Sequence, residues 1–191
     1  MPTNNTATNV TTGKPDPSGG VYTAPLGTTL PTDATTALSS SYTCLGFVSE
    51  DGVTNANDIS VSDIKAWGGL IVYSSLDEFT DTFSLKLIES MNIDVLKTVY
   101  GEENVTVSGN KVSVKINANS FNSRVWVFDL ALRDGKACRI VIANGAITAR
   151  GEINYNDSDA VAYDITITAY PYGSGNDTHE VYFDLGGTPS V

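Results

Sequence analysis

Apolar residues recur at every second position over much of the chain from Tyr42 onward, the pattern of strands with one buried and one wet face. Val112, Val114 and Ile116 alternate with Lys111, Ser113, Lys115 and Asn117. Val161, Tyr163, Ile165 and Ile167 alternate with Ala162, Asp164, Thr166 and Thr168. Trp126, Phe128, Leu130 and Leu132 form a third row, opposed by Val125, Val127, Asp129 and Ala131. Turn residues separate the rows at Ser108-Gly109-Asn110, Arg133-Asp134-Gly135, Asn144-Gly145 and the stretch YPYGSGND that starts at Tyr170. This spacing predicts antiparallel meanders, hence a mainly β sandwich or barrel.

One segment departs from the two-residue period. In NIDVLKTVYG (92–101), Ile93, Leu96 and Tyr100 fall at helical spacing with Val99 alongside. Asn92 suits the N-cap, Asp94 the first turn and Gly101 the C′ position, so one short α-helix is expected, packing its Ile93/Leu96/Val99/Tyr100 face on the β core. Residues 50–60, EDGVTNANDIS, read as a long polar loop between apolar strands. Residues 1–20 have only Met1, Ala7 and Val10 as apolar side chains, and five of the seven prolines lie in the first 31 positions. Such a segment cannot fold alone. It is either a disordered tail or an arm ordered along a neighbouring subunit, and the expected division is an arm at 1–20 and one domain at 21–191.

Composition narrows the function. No run approaches the roughly 20 apolar residues of a membrane span, so no membrane insertion is expected. No basic start leads into an apolar run, which predicts a cytoplasmic product. Cys44 and Cys138 belong to no paired motif and are expected to be reduced and buried. A net charge of −11, with 11 scattered Lys and Arg, argues against tight binding of nucleic acid, which requires cations to displace counterions.

Candidate chemistry is sparse. The single histidine, His179, has no G-x-S-x-G elbow with it and reads as a solvated strand residue. One histidine and two distant cysteines make no zinc site without carboxylates. Residues 154–159, NYNDSD, have calcium-loop character, but Asp159 stands where the loop needs Gly and Ile165 where it needs Glu. They read as a polar hairpin tip or a weak cation site. The pairs Asp77-Glu78 and Glu102-Glu103 read as solvated turns. No catalytic, cofactor-binding or metal residues are assigned, and an enzyme is not expected.

Four patches in order carry a family resemblance: VYTAPLGTTLP (21–31), LGFVSEDGVTN (45–55), IKAWGG (64–69) and the strand–helix block 78–106. Together they resemble the tail tube (major tail) proteins of siphophages, in the form seen in phages of Gram-positive hosts. The resemblance implies two packed antiparallel sheets with one flanking helix, an extended N-terminal arm and a long loop. It implies hexameric rings stacked into a tube in the virion, assembled in the host cytoplasm. It also implies a lumen holding the tape-measure protein and then DNA, which passes without specific binding, and ends capped by terminator and baseplate proteins. Six chains at −11 each give about −66 formal charges per ring. If a good share lines the lumen, phosphate is repelled during genome ejection; otherwise the charge sits outside and serves solubility. Asp81, Asp164, Thr166 and Thr168 are the lumen candidates. Glu50, Asp51, Asn55, Asn57 and Asp58 are the candidates for contacts between rings or subunits. The competing reading is a carbohydrate- or cell-surface-binding β-sandwich of the phage-adhesin kind, with Trp67 as its platform, since Trp126 lies in an apolar row.

Overall fold

The computed structural model of the chain describes residues 7–16, 20–117 and 122–186. Its elements in chain order are β1 (Lys14–Pro15), β2 (Val21–Pro25), β3 (Thr43–Cys44), β4 (Val48–Lys65), β5 (Ile71–Leu87), α1 (Ile93–Tyr100), β6 (Val105–Ser108), β7 (Lys111–Val114), β8 (Arg124–Ala131), β9 (Ala137–Arg150), β10 (Tyr163–Ala169) and β11 (Glu180–Asp184). All pairings are antiparallel. One sheet runs β3-β2-β8-β9-β10-β5-β4, with β1 added beside β8 and β11 beside β9; β6 and β7 form a second, small sheet. Two sheets with one helix is the expected architecture, and the large sheet stays open at β3 and β4 among the described residues.

β8 is covered on both sides. Its alternation sends Trp126 and Phe128 into one core, with Phe83, Leu85, Ile142, Ile165 and Ile167, under α1 and the β6–β7 hairpin. Val125 and Val127 enter a second cluster with Ala24 and Val141, capped by Leu30, Leu38 and Tyr42 from the irregular segment between β2 and β3. α1 is capped as expected: Asn92 Oδ1 accepts from the Asp94 N–H, and the Gly101 N–H donates to Lys97 O at φ 95°. Its buried face is Val95, Leu96, Val99 and Tyr100. Ile93 stays half-buried, because the helix sits one position further round than the i, i+3, i+7 reading assumed.

Asn144-Gly145, expected as a turn, lies inside β9. The glycine serves close packing instead: the Trp126 Nε1–H donates to Gly145 O at 3.1 Å, and a Cβ at 145 would stand 2.9 Å from Trp126 Cδ1. Of the segment read as an arm, Lys14 and Pro15 pair with Ala131 and Leu130, and the Asp16 N–H donates to Asp129 O. Residues 1–6 and 17–19 lie outside the described residues. No helix among the described residues is long and apolar enough to cross a membrane.

A buried ion pair ties the irregular segment down. Arg139 donates through Nε and Nη2 to both carboxylate oxygens of Asp129, at 2.6 and 2.9 Å, and through Nη1 to Asp33 O and Thr36 O. Asp33 in turn accepts from the Thr35 and Thr36 amides and the Thr36 hydroxyl, which, led by that hydroxyl, hold its carboxyl down at about 2.

Two outcomes follow. Gly145→Ala should lower stability by about 1–3 kcal/mol through overpacking against Trp126, Ile142 and Ile167, read from the urea midpoint. Because the Asp33 carboxyl is depressed in the fold, its hold on the 33–36 turn is complete above pH about 4 and is lost as pH falls through about 2. The Thr35 and Thr36 amide shifts should therefore titrate near 2; a midpoint near the ordinary carboxylate value of 3.8 would contradict the geometry.

Candidate assembly interface

The segment 50–60 is not a loop. It lies within β4, which pairs with β5 from Val53↔Leu85 to Lys65↔Ile71. Its Asn and Asp content hid a strand whose Ile59 and Val61 do alternate. β10 supports β5 only as far as Ala169↔Asp81. Beyond that point β4 and β5 continue as a free two-stranded arm, roughly 25 Å long at the usual strand rise. Its tip turns through Gly68 and Gly69, at φ 101° and 91°, closed by the Ala66 N–H donating to Leu70 O.

The arm is apolar where a free surface ought to be polar. Directly paired residues share a face, so Ile59 with Phe79 and Val61 with Leu76 form one apolar patch. These four are 65, 46, 55 and 64% exposed. Near the tip Ile64 pairs with Tyr73, and Trp67, Leu70 and Ile71 are also exposed. A lone two-stranded ribbon is marginal in water. Exposed apolar area of this kind marks a contact surface.

A polar knot secures the root. The Asp81 side chain is fully buried, and Asp81 Oδ1 accepts from Asn55 Nδ2 at 2.7 Å and Asn57 Nδ2 at 2.6 Å. Thr178 Oγ1 donates to Asp81 Oδ2 at 2.6 Å, and His179 Nδ1 lies 2.6 Å from the same oxygen. The His179 ring also stands edge-on to Phe83, 5.1 Å between centroids. One carboxylate thereby joins β4, β5 and the chain leading into β11.

A family model described as phage tail tube protein matches residues 2–183. The chain belongs to the phage tail tube family. No individual curated protein matches it.

For a tail tube subunit, the sequence-derived positions sort unevenly. Asp164, Thr166 and Thr168 share one uncovered face of β10. Asp81, expected to line a lumen, is instead the buried acceptor at the arm root and presents no charge to solvent. Asn55 and Asn57 are committed to that acceptor, and only Asp58 reaches onto the arm. Glu50 and Asp51 sit where β4 slips register between Val48 and Val53, with Ser49 Oγ donating to Asp51. His179, read as a solvated residue without partners, is held by Asp81 and Phe83; nothing in the linear pattern announces a partner 98 positions away.

The remaining positions find local roles. Trp67 is fully exposed at the arm tip and Trp126 is core. Asp77 accepts from Ser62 and Ser75 on the arm, and Glu102 stands 3.7 Å from Arg124. Asn156 closes its own turn by accepting from the Ser158 and Asp159 amides. Both cysteines are free; Cys138 is buried, and burial raises its thiol pKa, whereas Cys44 is only half-buried.

Asp81→Ala removes the shared acceptor. It should lower stability by about 2 kcal/mol and raise hydrogen exchange along residues 57–80 more than in the core. His179→Ala should loosen the same root. Equal arm protection in both variants and the unsubstituted chain would refute this role for the knot.

Proposed function

We propose that this tail tube subunit forms hexameric rings that stack into a hollow tube, and that the β4–β5 arm is its main connector to a neighbouring copy. The observation that carries this is the apolar patch Ile59, Val61, Leu76 and Phe79, which no other described residue covers. Rings also answer the open edges at β3 and β4, since closure pairs strands that would otherwise seek partners indiscriminately. The lumen would hold the tape-measure protein and later conduct DNA at genome ejection, with terminator and baseplate proteins at the ends. A net charge of −11 per chain supports passage without specific binding. Trp67 as a sugar platform is the weaker reading, because its exposed neighbours Ile64, Leu70 and Ile71 are apolar, whereas sugar hydroxyls call for polar partners.

Leu76→Lys with Phe79→Lys tests the connector. Both side chains are exposed, so the subunit should stay folded with an unchanged urea midpoint. Electron microscopy should show rings or tubes for the unsubstituted protein and their loss in the double variant. Normal tubes from the variant would remove the arm from assembly.

A further inference from the structure

We propose that the lumen wall is a hydroxyl-lined surface, the outer face of β4, β5, β10 and the end of β9, past which duplex DNA slides because no cation among its described residues is unopposed. The proposal rests on the tube reading above and names the surface that performs its conducting role.

The other broad surfaces of the sheet are covered or apolar, the side of β11 that exposes Val181 and Phe183 among the latter. One face lies under α1 and the β6–β7 hairpin, the opposite face of β2 and β8 lies under the segment between β2 and β3, and the arm is apolar. The uncovered part of β4, β5, β10 and β9 carries Thr54, Thr82, Ser84, Thr148, Thr166 and Thr168 on one side. No large apolar side chain interrupts them. This is the face that gains least from burial, and so the one assembly leaves wet.

Four of the hydroxyls pair with one another. Ser84 Oγ lies 3.2 Å from Thr166 Oγ1, and Thr148 Oγ1 lies 2.8 Å from Thr168 Oγ1. The Thr82 hydroxyl donates to Ala56 O across the strand pair. Neutral hydroxyls bind phosphate more weakly than cations do, and short side chains leave little for a passing duplex to catch. Lys86 is the cation on this face, and the register sets Asp164 directly opposite it. Further out, the same side of the arm turns acidic at Asp58 and Glu78. The wall therefore offers phosphate no unopposed cation: Asp164 stands against Lys86, and the acids further out on the arm add repulsion.

The test uses assembled tubes and two readouts. In Thr168→Cys tubes a small maleimide should react and a maleimide on a large polymer should not, while both react with free subunits; the unsubstituted chain sets the background from Cys44. Large-reagent labelling of intact tubes, or exclusion of the small reagent, overturns the wall assignment alone. Failure to form rings or tubes overturns the tube reading as well. Asp164→Asn tubes should retain a short DNA duplex about tenfold more than unsubstituted tubes at low salt, with retention falling as salt rises. Adding Lys86→Met should return retention to the unsubstituted level. Asp164→Asn tubes that retain no more DNA, or a double variant that still holds it, would overturn the charge balance.

Discussion

A two-stranded ribbon cannot cover its own side chains, and that constraint organises the molecule. β4 and β5 are single strands that serve two environments in turn. Near Leu85 and Phe83 they belong to a packed sheet, and beyond Asp81, among the described residues, they pair only with each other. The change of environment falls on one buried carboxylate with partners from three chain segments. A buried acceptor is costly unless fully satisfied, so the knot tolerates few arrangements and sets the direction in which the arm leaves the body.

The body supplies the stiffness this leverage needs. Both faces of β8 are packed, and the Trp126–Gly145 contact brings β8 and β9 together at a spot where any Cβ would intrude. On the far side, Arg139 draws the long irregular segment between β2 and β3 onto the sheet by bonding two of its carbonyls while paired with Asp129. Removing one partner of such a pair leaves an uncompensated buried charge, which makes the segment part of the body rather than a loose cover.

Surface chemistry then divides the exterior by purpose. Exposed apolar side chains gather on the arm, and hydroxyls gather on the bare sheet face, where burial gains little. On the hydroxyl face one aspartate stands opposite one lysine.

The sequence by itself determined the mainly β class, the strand at Tyr163–Ala169, and the helix Ile93–Tyr100 with its Asn92 and Gly101 caps, because two-residue periods and capping are local physics. The order of its motifs determined the family. Residues 50–60 were misread because loop-favouring Asn, Asp and Gly outweigh two alternating apolar residues, whereas pairing with β5 across the chain makes them a strand. Asn144-Gly145 was misread for the same kind of reason: a glycine needed for contact with Trp126 looks like a glycine needed for a turn. Asp81 and His179 could be placed only by the tertiary structure. Whether a polar side chain meets water or another residue depends on segments 98 positions apart, and no local pattern carries that information.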